Sequence, residues 1–374
     1  MSAILRETTM EDLISGLPEA VEVSSGDLAG RRYDLWIGAL GFEPRCCAVA
    51  AALAESGARA AHPFLCEYQT NAASNEKNEA ELIGHATRFG PEPRRVAADG
   101  QLGEELRRCL DELAAEIDRP LRVGWDISVA SNQVVLTVGS VLLGTDCELE
   151  VLYAEAQVYH PTRDAYTAEP EQWRGEDWLG LDRGTLNVRV SSEHPGDHSA
   201  QLPNRLAITP GYNRDRVRSI VSKVDPSFLI DLDGAPISWL VGQPRLESDQ
   251  WRCKAINEIH GIPSKHEWDE VSTFDYRETI RSMERMYAKW GLSHNISLAP
   301  MGSKLQALGC VLFCSARPDV RVMFAQPEEY NANRYTEGIR SLWTLPLGST
   351  RDLTSRLAEI GTLKRTKPVQ TGTS

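Results

Sequence analysis

The sequence has no apolar run long enough to cross a bilayer. The longest, VVLTVGSVLLG at 134–144, is interrupted by Gly139 and Ser140, whereas a transmembrane helix needs about 20 apolar residues. We therefore expect this segment to form a buried helix and the protein to make no membrane contact. The first residues, MSAILRETTMEDLISGLP, lack the basic start and apolar middle of an export signal. We therefore expect a cytoplasmic protein.

Metal-binding and catalytic motifs are also missing. The eight cysteines lie in apolar segments without a CxxC pair, and Cys310 and Cys314 have no histidine or cysteine nearby to complete a zinc set. The sequence contains no HExxH, GxSxG, GxGxxG or Walker motif. We expect buried thiols, no metal ion and no cofactor.

Positive charge is scarce, because 40 Lys and Arg residues face 53 Asp and Glu residues and give a net charge of −13. A surface that binds duplex nucleic acid needs clustered cations, so extensive duplex binding is not expected. The basic stretches at 31–33, 93–95 and 363–367 are short and are typical of solvated faces. A local basic pocket remains compatible with this charge.

Against these absences stands an internal repeat. VLYAEAQVYHPTR at 151–163 matches VMFAQPEEYNANR at 322–334. In the same order, WIGALGFEPR at 36–45 precedes LAITPGYNRD at 206–215, and LRVGWDISVASNQ at 121–133 precedes NISLAPMGSKLQ at 295–306. Three strand-to-loop junctions therefore recur, which indicates a tandem duplication.

Strands and helices alternate along both copies, as in a parallel sheet with crossover helices. We predict an α/β fold of two tandem Rossmann-like units with mostly parallel sheets, pseudo-duplicated. The predicted strands of the second unit include FLIDLDG at 228–234 and SLWTLPL at 341–347. The predicted boundaries are an N-terminal extension (1–30), a first unit (31–163), a connector (164–204), a second unit (205–348) and a tail (349–374).

Polar residues follow the central apolar strand of each copy. Asp126 ends the first of these strands and is followed by Ser128 and Asn132. Its carboxylate could bind a ribose hydroxyl, accept a proton as a catalytic group, or cap the next helix. In the second copy, Ser303 and Lys304 open a helix, which suits either a phosphate contact or an ordinary helix start.

The two copies differ at these junctions. The sequence match aligns Asp126 with Pro300, Ser128 with Gly302 and Ala130 with Lys304. We therefore expect the first copy to offer hydrogen-bond acceptors and the second a cation.

The remaining loops carry arginine and tyrosine. GFEPR at 41–45 places Glu43 and Arg45 on a turn, where they either hold a ligand or pin the loop by a salt bridge. The tyrosines could stack on bases or cover an interface. His160 is a candidate base or an ordinary surface histidine. The other candidate ligand contacts are Tyr159, Arg163, Arg214, Tyr330 and Arg334.

With its doubled unit and its DIS and GSK junctions, the chain resembles the CARF and SAVED sensor domains of prokaryotic defence systems. The resemblance covers most of residues 31–348 in architecture. It implies a nucleotide pocket faced by an Asp-hydroxyl loop. The sequence contains neither a nuclease motif nor a membrane segment, so the resemblance implies a sensor or accessory subunit with an effector protein as partner.

Three hypotheses of function follow. In the first, a nucleotide or a cyclic oligonucleotide lies between six loops, with phosphates on Arg45, Arg214, Lys304 or Arg334 and a ribose on Asp126. The six loops are 41–45, 126–132, 159–163, 211–214, 302–304 and 330–334. In the second, the chain is a nucleotide hydrolase or glycosidase that uses Asp126 or Glu43 as acid or base. In the third, it is a scaffold whose pseudo-symmetric surface engages a partner protein.

Overall fold

The computed structural model describes residues 9–168, 182–232, 234–262, 268–332 and 335–362. The chain starts with a helix, α1 (Met10–Ser15), and a short strand, β1 (Val21–Val23). Thr9 caps α1, because its hydroxyl accepts from the Asp12 amide at 3.1 Å while the Asp12 carboxylate accepts from the Thr9 amide at 3.0 Å. Of the predicted site residues, Arg334 lies outside the described ranges.

The first unit alternates strand and helix throughout. Its elements are β2 (Arg32–Leu40), α2 (Ala48–Ser56), β3 (Arg59–Glu67), α3 (Ala72–Phe89), β4 (Arg94–Ala97), α4 (Leu102–Glu116), β5 (Leu121–Asp126), α5 (Asn132–Leu143) and β6 (Cys147–Tyr159). The segment predicted as a buried helix forms most of α5, and its apolar residues are buried as expected.

The second unit repeats this order after a connecting region. The connecting elements are α6 (Arg163–Ala168), β7 (Asp182–Arg183) and β8 (Asn187–Val190). The unit itself contains β9 (Asn204–Thr209), α7 (Arg214–Val224), β10 (Ile237–Gln243), α8 (Trp251–His260), β11 (Trp268–Ser272), α9 (Tyr276–Trp290), β12 (Asn295–Pro300), α10 (Lys304–Ala316) and β13 (Arg321–Gln326). The last elements are β14 (Glu329–Tyr330), β15 (Thr336–Ser349) and α11 (Thr350–Thr362).

The two sheets have the same strand order. The first runs β1-β15-β6-β5-β2-β3-β4, and the second runs β8-β13-β12-β9-β10-β11. In both, the five strands of the repeat are parallel and one antiparallel strand lies beside the last of them. Strands β7 and β14 form a separate two-stranded ribbon. The predicted α/β fold of two tandem Rossmann-like units is therefore confirmed.

The antiparallel strands are exchanged between the units. Strand β8, which follows the first unit in sequence, pairs with β13 of the second sheet. Strand β15, which follows the second unit, pairs with β6 of the first sheet. The prediction that residues 341–347 belong to the second unit is therefore wrong, and so is the prediction that residues 350–362 belong to a tail, because they form α11. The apolar pattern of a strand specifies a buried face but not which sheet receives it.

The second unit also differs from prediction around residue 230. Residues 228 and 229 of the predicted strand 228–234 belong to a 3₁₀ turn (Pro226–Leu229), and the strand lies at Ile237–Gln243. The turn arises because the Asp225 carboxylate accepts from the Ser227 amide at 3.0 Å and Pro226 occupies the first helical position. Strand β11 was not predicted, because its sequence, WDEVS, contains only two apolar residues, Trp268 and Val271.

The two units share one core. A continuous cluster of buried apolar side chains includes Val135 of α5 and Val311 of α10, and α10 packs against both α5 and α9. Gly309 permits this packing, because a Cβ there would lie 2.6 Å from the Tyr276 carbonyl oxygen. A smaller apolar cluster fills the other face of the second sheet. The eight cysteines are free and buried, as predicted.

Candidate functional site

Segments at the carboxyl ends of several parallel strands from both sheets line one shared cavity of about 280 Å³. Its walls are the segments after β2, β9, β10, β11 and β12, the end of β6 and the start of β15. We call it the inter-unit cavity. Four predicted ligand contacts line it: Arg45, Tyr159, Ser303 and Lys304. Strand ends of a doubly wound sheet are where such folds bind ligands.

Cations and aromatic rings dominate the lining. The cations are Arg45, Arg216, Arg245, Arg252 and Lys304, and the aromatic rings are Tyr153, Tyr159, Tyr212, Phe274 and Tyr335. The carboxylates are Glu155, Asp182 and Asp249. Together with the buried Glu43, which pairs with Arg45, the carboxylates number four, so five positive groups leave a positive excess of one in a chain with a net charge of −13. The cavity therefore attracts anions although the whole molecule repels them.

Arg45 belongs to a buried ion pair at one wall. Its Nε donates to Glu43 at 2.9 Å, and its Nη1 donates to the carbonyl oxygen of Ala154 at 3.1 Å. Thr336 of β15 also donates to the Glu43 carboxylate. Burial alone would lower the pKa of Arg45, but the Glu43 carboxylate raises it above its usual range, so the guanidinium stays charged. The salt bridge expected for GFEPR is present, and Arg45 also lines the cavity.

Arg216, not Arg214, is the α7 cation that reaches the cavity. Arg214 is exposed and does not line it. Arg216 pairs with Asp182 and donates to the carbonyl oxygen of Ala325 at 2.6 Å. Asn213 caps α7 by accepting from the Arg216 amide at 2.9 Å. Arg214 therefore lies outside the cavity, because the first helical residue points outward and the third points inward.

Two further arginines of the lining, Arg245 and Arg252, are held by hydrogen bonds. Arg245 donates to Glu155 at 2.9 Å. Arg252 donates to the Tyr212 hydroxyl at 3.0 Å and to the Tyr159 carbonyl oxygen at 2.6 Å. Their partners fix both guanidinium groups in place, which is the arrangement that preorganised anion sites require.

Lys304 differs from the arginines because its ammonium has no hydrogen bond or ion pair within the part of the chain that the structure describes. The side chain is partly buried and lines the cavity. Burial lowers its pKa to about 8; Glu43 opposes this effect, and the positive charges of Arg45 and Arg216 add to it. At neutral pH the ammonium is mostly protonated, and it faces the cavity.

The start of α10 places more donors beside Lys304. Ser303 caps the helix, since its hydroxyl accepts from the Gln306 amide at 3.1 Å and its amide donates to the Gln306 Oε1 at 2.9 Å. The Gln306 side chain lines the cavity, and its buried Nε2 has no acceptor among the described residues. The Lys304 amide, at the first helical position, has no intrahelical acceptor either. We call the Lys304 ammonium and amide and the Gln306 Nε2 the α10 donor cluster.

Asp126 and Ser128 do not line the cavity. The Asp126 carboxylate accepts from the Ser128 amide at 2.9 Å and from its hydroxyl, and that hydroxyl accepts from the Ala154 amide at 2.8 Å. Burial raises the pKa of Asp126 to about 6, while its bonds to Ser128 and the charge of Arg45 lower it. These residues tie β5 to β6. Asp126 is not the cap of α5 either, because Ser131 accepts from the Val134 amide there.

Asn132 joins the two units and does not line the cavity. Its Nδ2 donates to the carbonyl oxygens of Pro300 and Gly302 at 3.1 and 3.0 Å. The caps Ser131 and Ser303 also correct the sequence alignment, since they place Asn132, not Ala130, at the position of Lys304.

Of the remaining candidate residues, Tyr159 and His160 line the cavity, whereas Tyr330 and Arg163 do not. Tyr159 lines the cavity and shares a 2.8 Å hydrogen bond with the Tyr153 hydroxyl. Tyr330 packs beside Phe42 and Tyr335, at ring distances of 6.0 Å, and does not line it. Arg163 is exposed at the start of α6. His160 lines the cavity and contacts Glu337 at 2.7 Å.

Arg216, Arg245 and Arg252 are cavity residues that the sequence analysis missed. Arg245 was not predicted because the strand before it was placed at 228–234. Since β10 ends at Gln243, Arg245 lies in the loop directly after a strand end. Arg216 and Arg252 lie on helices, one turn or less from their start. Their spacing from the helix starts was the available signal, since a residue near the first turn reaches the same crevice as the loop before it.

Within the described ranges, no helix combines the length and apolar character of a membrane span, and no three His, Cys, Asp or Glu side chains are grouped to hold a metal ion. No family model matches the chain, and no curated protein matches it. Among solved structures, spinosyn rhamnosyltransferase SpnG is similar at 10% identity over 88% of this chain and 95% of that chain, with a TM-score of 0.16. A likeness at that level carries no argument about function.

Proposed function

We propose that the chain binds a nucleotide-type anion in the inter-unit cavity and acts as a ligand sensor or accessory subunit, with prokaryotic defence as its setting. The observation that carries this proposal is the α10 donor cluster, because it leaves a charged ammonium and a buried amide without acceptors inside a cationic cavity. Unpaired buried donors are costly, so a phosphate group that accepts from them gains the corresponding stabilisation.

The rest of the lining fits the other parts of a nucleotide. Four of the five aromatic rings, those of Tyr159, Tyr212, Phe274 and Tyr335, are partly exposed and offer faces for a base, and the paired arginines share the same lining. A volume of about 280 Å³ is near the lower end of small-molecule sites, roughly 300 Å³ and above. The volume therefore favours a mononucleotide over a cyclic oligonucleotide, whose entry would require the walls to separate.

The test is calorimetric titration with mononucleotides, dinucleotides and cyclic oligonucleotides, followed by the best ligand against Lys304→Met. Loss of one charge-assisted contact is worth about 1.5–3 kcal/mol, so we expect roughly 10- to 100-fold weaker binding. Lys254→Met is the matched control, because Lys254 is exposed on α8 beside Glu258 at 3.6 Å. No binding by the folded wild-type chain, or equal losses in the two variants, would sink the proposal.

A hydrolase that uses Asp126 or Glu43 has less support. The Asp126 carboxylate is occupied by Ser128 and lies outside the cavity lining, and Glu43 is occupied by Arg45 and Thr336. A general acid or base must reach the proton it transfers. Turnover of a labelled nucleotide that disappears in Asp126→Ala would favour the hydrolase over plain binding.

A further inference from the structure

A second concave surface lies at the other end of the strands of the first sheet, away from the inter-unit cavity. It is a groove of about 600 Å³ at the amino ends of β2, β3 and β5, far along the strands from the inter-unit cavity. Its lining includes five arginines: Arg32, Arg59, Arg88, Arg119 and Arg122. We call it the arginine groove.

The lining of the arginine groove contains few negative charges to balance its arginines. Asp34 is the one carboxylate in its lining, so five positive charges less one negative leave an excess of four. Asp34 is already held by Arg119, with contacts of 2.7 and 2.8 Å, and by the Arg122 amide at 2.8 Å. Arg32, Arg88 and Arg122 are exposed and make no ion pair within the described ranges.

The residue types define the ligand chemistry. A guanidinium binds a carboxylate or a phosphate through two parallel hydrogen bonds, which a lysine cannot do. The aromatic residues of the lining, Tyr33 and Phe89, are buried and offer no face for a nucleobase. Binding of single-stranded nucleic acid usually depends on such faces.

Charge outside the groove narrows the choice further. The chain has a net charge of −13, so a long polyanion that extends past the groove meets a negative surface. A short acidic segment can end where the arginines end. We propose that the arginine groove docks an acidic peptide segment of a partner protein. Such Arg clusters are a recurrent mode of acidic-motif recognition.

The experiment is fluorescence anisotropy with a labelled peptide of eight glutamates, at low and at moderate salt, on the full chain. We expect binding that weakens with salt, and at least a tenfold loss in Arg88→Glu/Arg122→Glu. The control is Arg108→Glu/Arg218→Glu, which makes the same change in net charge on exposed arginines of α4 and α7, outside the groove. We expect the control to bind within twofold of wild type.

Three outcomes would overturn the proposal. One is a wild-type chain that does not bind the peptide. Another is an equal loss in both double variants, which would reduce the effect to net charge. The third is a duplex or single-stranded DNA probe that binds more tightly than the peptide and is lost in the same groove variant, which would assign the groove to nucleic acid. Circular dichroism of each variant confirms folding, and the inter-unit cavity is left unchanged in all of them.

Discussion

The fourth helix of each unit begins with a serine cap, but the residue after the cap joins the units in one helix and lines the cavity in the other. In α5, Ser131 is followed by Asn132, whose side-chain Nδ2 donates hydrogen bonds to the carbonyl oxygens of Pro300 and Gly302. In α10, Ser303 is followed by Lys304, whose ammonium has no partner in the described part of the chain. The start of α5 therefore holds the loop before α10 in place, whereas the start of α10 faces the cavity.

Duplication therefore kept the fold and separated structure from binding. The acceptors of the first copy, Asp126 and Ser128, are used to join β5 to β6. The expected division into acceptors on one side and a cation on the other holds only for the cation. Substitutions at matched positions of the two helices test this difference.

The largest effect is expected at Gly309. The aligned caps place Thr137 of α5 opposite this glycine, but in α10 a Cβ would lie 2.6 Å from the Tyr276 carbonyl oxygen and 2.8 Å from the Thr279 Cβ. We expect Gly309→Val to lower the free energy of unfolding by about 3 kcal/mol, since overpacking forces the helices apart. Chemical denaturation measures it.

Gly84→Val serves as the control for that substitution, because Gly84 lies in α3 and a Cβ there would have no neighbour within 4 Å. We expect a change near zero for Gly84→Val, and equal costs at the two sites would contradict the close approach. Because the core is continuous across both units, the wild-type chain should also unfold in one calorimetric transition.

The next effect is the pH dependence of ligand binding. The pKa of Lys304 is lowered to about 8, so the ammonium is protonated below that pH and loses its charge above it. A bound anion raises this pKa. Affinity for a phosphate-bearing ligand should therefore fall above pH 8, by up to about tenfold per pH unit, because one proton is linked to binding.

Titrations at pH 7, 8 and 9 check this dependence, and in Lys304→Met the same step should disappear. Asn132, at the matched position of the first unit, does not titrate, so Asn132→Ala should keep the step. A step that persists in Lys304→Met would assign the titration to another group.

A smaller effect is expected on stability at Asn132. Asn132→Ala removes two hydrogen bonds from Nδ2 to the β12–α10 loop and should cost about 1–2 kcal/mol of unfolding free energy. Gln133→Ala on the same helix is the control, since the Gln133 side chain makes no hydrogen bond among the described residues. Thermal denaturation compares them, and equal shifts would show that Asn132 does not join the units.

The smallest effect on ligand affinity is expected at Asp126. Asp126→Asn keeps an acceptor for Ser128 and removes a buried charge, so ligand affinity should stay within about twofold. The raised pKa means that the folded carboxyl holds its proton up to about pH 6, so its ionisation costs stability as pH rises from 4 to 6. Asp126→Asn should therefore be more stable than wild type at pH 7. A large loss of affinity would restore Asp126 as a ligand contact.

Sequence periodicity was sufficient to predict the repeated units because alternation of strand and helix is a local signal. Sheet membership was not, since the pattern of residues 336–349 is the same whether it pairs with β6 or with β13. Lys304 was predicted as a contact because a cation at a helix start has a chemical meaning by itself. Arg216 was not, because the direction of a side chain on the first turn depends on how α7 packs against its sheet.

The exchange of β8 and β15 has a consequence during synthesis. Strand β15 lies between β1 and β6, yet it follows the whole second unit in sequence. On the ribosome, the edge of β6 stays open until residues 336–349 emerge, and an open edge is a template for pairing with other chains. The first sheet therefore cannot be completed before the second unit has been synthesised, and a nascent chain that stalls inside the second unit leaves the edge of the 13-residue strand β6 exposed.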